Sequence, residues 1–266
     1  MHVIKCKDIT VDNGEIIVYL IADVHVGSAQ CNLDKFKEVI NEVSKIKNAY
    51  IVLNGDLIDN ALKDSISFEY DGLSPSSSIR IVCDILKPVA DKILCINTGN
   101  HEQRSKKAAD IDPNLLIATL LNVQDKYSDG ASILLVPIEG MPRKGTAALF
   151  TILCYHGAGG GTRAGSKANK VEDMAKLCNA DVYMMSHVHT PMVFKEDYIE
   201  IDKVHYRARQ RTRTFVVSNS FLDYGGYGEQ KGYVPTTIAV PKVHLSCRRK
   251  QRQDVDSIDK IVYVEV

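Results

Sequence analysis

Short apolar runs alternate with stretches of helical spacing through the first half of the chain. Glu15 to Ala22 (Glu-Ile-Ile-Val-Tyr-Leu-Ile-Ala) is almost continuously apolar, as in a strand buried on both faces. Tyr50 to Asn54 and Lys92 to Asn97 repeat that pattern. Between the first two runs, Asn32 reads as an N-cap for a helix with apolar positions Phe36, Val39, Ile40, Val43 and Ile46. A second helix carries Ile79, Val82, Cys83, Ile85 and Leu86 and stops near Pro88. A third opens at Asp112-Pro113, an N-cap and first-turn pair, and runs through Leu115, Leu116, Ala118, Thr119 and Leu120. This alternation predicts an open α/β sheet.

The second half changes character. Strands are predicted at Ala131 to Val136, Ala147 to Tyr155 and Asp181 to Met185, with a helix through Val171, Met174, Ala175 and Cys178 before the last of them. From Met192 to Val266 the pattern predicts short strands and turns, at Asn219, Gly225-Gly226 and Gly228, and no strong helix. One domain is expected over residues 1–266, with 192–266 as its strand-rich C-terminal part. Asn60 to Ser78 is polar and turn-rich, with Asp71-Gly72 and Ser74-Pro75-Ser76-Ser77-Ser78. It is either a lid beside the site or a solvated connection.

Composition narrows the function classes. Basic and acidic residues balance at 33 each, so no overall field marks a nucleic-acid or membrane-surface protein. The start, Met1-His2-Val3-Ile4-Lys5, has no signal-peptide pattern, and no apolar run approaches bilayer-spanning length, which predicts a soluble cytoplasmic protein with no membrane partner. The seven cysteines are widely separated without a Cys-x-x-Cys pair, so neither a zinc knuckle nor a redox dithiol is indicated. They read as reduced core residues.

The chemistry is concentrated where strand-like runs end. Five such ends carry oxygen or nitrogen metal-ligand types: Asp23/His25, Asp56, Asn100/His101, His156 and His187/His189, which take five of the eight histidines. Residues two apart in extended chain point the same way, so Asp23 and His25 can grip one ion. Carboxyl ends of strands are where ligands gather in open α/β sheets, so these side chains can converge despite their separation in sequence. Asp56, just past the run Tyr50-Ile51-Val52-Leu53-Asn54-Gly55, is read as a carboxylate bridging two metal ions.

Asp23-x-His25, Gly55-Asp56-x-x-Asp59, Gly99-Asn100-His101-Glu102, His156 and His187-x-His189 together resemble the motif series of the calcineurin-like metallophosphoesterase superfamily. The resemblance implies an α/β fold, a four-layer αββα sandwich of two mixed β-sheets flanked by helices. It implies one ion held by Asp23, His25, Asp56 and His189 and a second by Asp56, Asn100, His156 and His187. Two cations about 3.5–4 Å apart clamp phosphoryl oxygens and lower the pKa of a shared water, the bridging hydroxide of a phosphodiesterase. Carboxylate, amide and imidazole ligands without thiolate suit Mn²⁺ first, with Fe, Zn²⁺ or Ni²⁺ as alternatives.

His101 is outside that ligand count and is the candidate catalytic acid. Asp59 and Glu102 are candidate acceptors that orient metal-binding imidazoles. Two departures stand out. Ser186 occupies a position where the family usually has Gly, and Asp59-Asn60-Ala61 lacks the Asp-Arg-Gly of protein Ser/Thr phosphatases, which argues against that substrate.

Two further features bear on substrate. Gly157 to Gly165 could bring backbone amides and Arg163 onto a phosphate, or could be a flexible surface loop. Arg207, Arg209, Arg211 and Arg213, spaced by two, could track a nucleic-acid backbone as in a DNA or RNA nuclease, with Arg248-Arg249-Lys250 and Arg252 as a second cluster. A solvated or charge-guarded strand face is the simpler account and the favoured one. A non-catalytic interaction scaffold is the alternative of another class, disfavoured because every motif residue is present.

Overall fold

The computed structural model describes all residues except 63–72, 139–147, 162, 204–205, 226–228, 230–233, 236 and 253–254. In chain order the first half contains β1 (His2–Lys5), β2 (Glu15–Ile21), α1 (Leu33–Lys45), β3 (Ala49–Asn54), α2 (Pro75–Leu86), β4 (Ile93–Asn97), α3 (Glu102–Ala109), α4 (Pro113–Leu120) and β5 (Tyr127–Ser128). The second contains β6 (Ser132–Ile138), β7 (Ala148–Tyr155), α5 (Ala164–Asp173), β8 (Val182–Met185), β9 (Met192–Asp202), β10 (Arg207–Val217), β11 (Lys242–Arg252) and β12 (Val255–Glu265).

The strands form two mixed sheets, ordered β12-β11-β2-β3-β4-β5 and β1-β6-β7-β8-β10-β9. In the first, β2, β3 and β4 run parallel, and β11 joins β2 antiparallel. In the second, β7, β8 and β10 are parallel. Alternation along β2 explains how the layers pack. Ile16, Val18 and Leu20 face the second sheet and meet Val52, Phe150, Ile152, Val182, Met184 and Val216. Tyr19 and Ile21 face outward onto Phe36, Val39 and Val43 of α1, with Val82 and Leu86 of α2 and Ile117 of α4 alongside. Behind the second sheet, Leu153, Tyr183 and Phe215 pack with Val171 of α5. The result is an αββα sandwich of helix, sheet, sheet and helix.

Capping fixes the helix starts. The Asn32 side chain accepts from the Lys35 amide, and Asp112 accepts from the amides of Asn114 and Leu115. Among the described residues, no helix is long and apolar enough to cross a membrane.

The structure differs from the sequence pattern in three places. The C-terminal part holds four strands of 11 residues each where short ones are expected. Their polar alternation reads as turns until cross-strand pairing is taken into account. Helix α5 begins earlier than expected, inside the glycine-rich stretch. Met174 already belongs to a 3₁₀ turn, and Cys178 lies beyond it. Helix α3 has no apolar stripe to announce it, since its one buried residue is Glu102. The Asp71-Gly72 turn, Thr162, Gly226 and Gly228 lie outside the described residues, so the loop of residues 60–78 is described only at its two ends.

Candidate metal centre

The strand ends of the two sheets face each other. Asp23 and His25 follow β2, Asp56 follows β3, and Asn100 and His101 follow β4, all in one sheet. His156 follows β7, and His187 and His189 follow β8, in the other. Asp23, His25, Asp56, His187 and His189 all adopt left-handed φ, between 46° and 70°. Non-glycine residues rarely occupy that region, and each such residue stores strain of order 1–3 kcal/mol that the surrounding structure must hold. The strain turns each chain sharply at the sheet edge and points the side chain into the gap.

The two loops from β3 and β4 touch at glycines. A Cβ on Gly99 would collide with the Asp56 amide and carboxylate, and one on Gly55, at φ 89°, would lie 2.6 Å from His156 Nδ1. Only hydrogen at these two positions lets Asp56 and His156 come together.

Three overlapping groups result, each with its ligand atoms within 4.8 Å of one another: Asp23, His25 and His189; His25, Asp56 and His101; Asp56, His156 and His187. Asp56 Oδ2 lies 3.3 Å from His156 Nε2 and 3.9 Å from His101 Nε2. Asn100 Oδ1 is 3.0 Å from His156 Nε2. At the other end, His189 Nε2 is 3.1 Å from Asp23 Oδ1 and 3.5 Å from His25 Nε2. The His187 amide donates to Asp23 Oδ2 at 3.0 Å.

The supporting contacts are specific. His156 Nδ1 donates to the Asn54 carbonyl at 2.7 Å, which turns Nε2 towards Asp56. His101 Nδ1 donates to the Asp59 carbonyl at 2.8 Å, with Asp59 Oδ1 at 3.2 Å; the same carboxylate stands 3.7 Å from His25 Nδ1. Asp59 thus sits beside two imidazoles. Glu102 does something else. Its fully buried carboxylate accepts from the amides of Asp56, Leu57, Ile58 and Gly99 at 2.8–3.2 Å, so it orders the backbone of the Asp56 loop. No imidazole is among those partners, which corrects the reading of Glu102 as an orienter of histidines; its place on the first turn of α3 aims it at the loop.

Burial raises a carboxyl pKa, yet Asp56 is held well below the ordinary range because the charge and hydrogen bond of His156 outweigh burial. Conversely, burial lowers the His156 imidazole, but Asp56 prevails and raises it to about 10. His101 is raised in the same way, by its hydrogen bond to Asp59 and by the Asp56 charge. Burial and the Asp56 charge push Glu102 up to about 7, against the pull of its amide donors.

A sequence profile described as calcineurin-like phosphoesterase matches residues 16–191. The chain belongs to the calcineurin-like phosphoesterase family. No curated protein matches it significantly. Among solved structures, it is similar to a predicted phosphoesterase from Streptococcus pneumoniae TIGR4 at 12% identity and TM-score 0.35, covering 93% of this chain and 98% of that one. It is also similar to Vps29 of Chaetomium thermophilum (13% identity, TM-score 0.41, 94% and 100% covered) and to the calcineurin-like phosphoesterase YfkN of Bacillus subtilis (10%, 0.37, 94% and 90%).

For a calcineurin-like phosphoesterase, the donor set can be tested against a cation. With Nδ1 donating to a carbonyl, His156 Nε2 confronts two acceptors, Asp56 Oδ2 and Asn100 Oδ1. Lone pairs meeting at this range repel unless a proton or a cation lies among them, and the raised His156 pKa is the proton's version of that answer. His25 and His189 likewise turn nitrogens towards each other beside Asp23. Buried oxygen and imidazole donors converging in this way fit divalent metal ions.

Four other residues complete the surroundings. Arg163 is exposed at the start of α5. Lys167 donates from Nζ to Oγ1 of Thr190, the residue after His189, at 2.5 Å, a contact the sequence pattern did not single out. Arg104, one turn beyond His101, was also missed; its Nη2 lies 3.0 Å from His101 Nε2. Ser186, the departure from the family's glycine, has a buried Oγ that accepts from Asn54 Nδ2 at 2.8 Å. In the arginine row, Arg209 pairs with Asp202, Arg211 with Glu200 and Arg213 with Glu196, so three of the four arginines face acidic partners.

Proposed function

We propose that this protein is a phosphodiesterase whose site holds two divalent cations, Mn²⁺ foremost. The observation that carries the reading is the place of Asp56, one carboxylate shared between a group with His25 and a group with His156 and His187. Asp23, His25, Asp56 and His189 would hold one ion, and Asp56, Asn100, His156 and His187 the other. Bound there, the ions supply positive charge to the phosphoryl oxygens and acidify water at neutral pH. The chain's own residues do the rest. Glu102 fixes the loop that presents Asp56, and the Asn54 carbonyl sets the tautomer of His156. His101, whose amide donates to Asp56 Oδ1 at 2.8 Å, would protonate the leaving oxygen through Nε2.

The acidic partners of Arg209, Arg211 and Arg213 support a small diester over a nucleic acid. The test is hydrolysis of bis-p-nitrophenyl phosphate by protein stripped of metal and then reconstituted with Mn²⁺, with Asp56→Ala alongside. Turnover that depends on Mn²⁺ and is lost in the variant supports the reading. Turnover indifferent to metal, or none with any diester, overturns it.

A further inference from the structure

We propose that Arg104 is the residue that grips the phosphate of the substrate at this site; the inference rests on the phosphoesterase reading above. Arg104 stands on the first turn of α3, one turn past His101. Its guanidinium is anchored on one side, where Nη1 donates to the Asp59 carbonyl at 3.1 Å. On the other, Nη2 meets His101 Nε2 at 3.0 Å. The Asp59 carbonyl also accepts from His101 Nδ1, so one oxygen sets the position of both the imidazole and the guanidinium.

That pairing is chemically unusual. A guanidinium carries no lone pair, so His101 Nε2 must be the acceptor in this contact, the nitrogen that would otherwise face a leaving oxygen. A cation held at hydrogen-bond distance from that nitrogen therefore stands where phosphoester oxygens would arrive. A phosphate is the better partner, because a charge-assisted fork of two N–H groups onto its oxygens is about twice as strong as a neutral hydrogen bond. Moving Nη2 from the imidazole to the phosphate clamps the substrate and frees the unprotonated His101 Nε2, which takes up a proton from solvent water before passing it to the leaving oxygen. Arg104 is partly exposed at the site's edge, so such a shift is a change of rotamer.

The experiment compares Arg104→Gln and Arg104→Lys with the parent protein, all full-length and loaded with Mn²⁺. Inorganic phosphate binding is read by calorimetry, metal content by elemental analysis, and KM and kcat with bis-p-nitrophenyl phosphate. Arg104→Gln is expected to keep its metal, weaken phosphate binding about 10- to 100-fold, the range for a lost hydrogen bond to a charged group, and raise KM in parallel. Arg104→Lys is expected to fall between, keeping the charge but not the fork. Unchanged phosphate affinity and KM in a metal-replete Arg104→Gln would overturn the inference while leaving the phosphoesterase reading intact. Loss of metal in both variants would also overturn it, making Arg104 a brace for Asp59 and His101. A parent protein with neither metal-dependent turnover nor phosphate binding would take down both.

Discussion

At the scale of single residues, the site depends on what is absent as much as on what is present. Gly99 has no Cβ, and Asp56 occupies the space one would take. Gly99→Ala is expected to cost about 1–3 kcal/mol of stability, as overpacking does, and to lower bound Mn²⁺. Urea denaturation and metal analysis check the two effects together. His101→Ala is expected to retain metal yet lose about 10²–10⁴-fold in turnover, the usual worth of a general acid. If that variant loses its metal instead, His101 is a ligand. The residues at the strand ends were legible because Asp, Asn and His interrupt apolar runs at repeated places. Arg104 and Lys167 were not, because an arginine or a lysine in a polar helix has no pattern to stand out from. The role of Glu102 was misread for a related reason: sequence shows which residue neighbours a ligand, not which way its side chain turns.

Among the elements, legibility followed apolar content. The buried strands β2, β3 and β4 and the amphipathic α1 could be read because burial on both faces, or along one stripe, leaves a period in the sequence. The β9–β10 hairpin could not, since its register matches Arg211 to Tyr198 and Arg213 to Glu196 and is held by pairs across strands that no single segment reveals. A polar chain beneath the site joins elements in the same hidden way. Ser132 Oγ donates to Asn97 Oδ1, Asn97 Nδ2 to Asn54 Oδ1, and Asn54 Nδ2 to Ser186 Oγ, so four strand ends from two sheets are linked inside the sandwich. Asn54→Ala would leave the Asn97 amide short of an acceptor and is expected to cost about 1–3 kcal/mol, measured by chemical denaturation. The double variant Asn54→Ala with Ser186→Ala is expected to cost less than the sum of the singles, because they share one contact.

For the whole molecule, the site is a seam. Both sheets contribute to it, so any cation it holds is bonded to both halves of the sandwich, and Mn²⁺ is expected to raise the melting temperature with the logarithm of its concentration above the dissociation constant. Protons are linked to the same event. The His156 pKa, raised from 6.5 to about 10 by Asp56, lets the metal-free protein keep a proton there at about pH 8 that a cation must displace. Calorimetric titration with Mn²⁺ in two buffers of different ionisation heat is expected to show proton release; equal heats would contradict it. By the same linkage, the stability which that proton gives the metal-free form is complete below about pH 6.5 and is lost as pH rises through about 10. The left-handed backbone at Asp23, His25, Asp56, His187 and His189 has a consequence for descent. Asn, Asp and His are the side chains that tolerate that conformation best after glycine. A descendant that abandoned catalysis would still need those turns, so its strand ends would drift towards asparagine and glycine before any aliphatic residue, leaving a fossil of the centre in the shape of the loops.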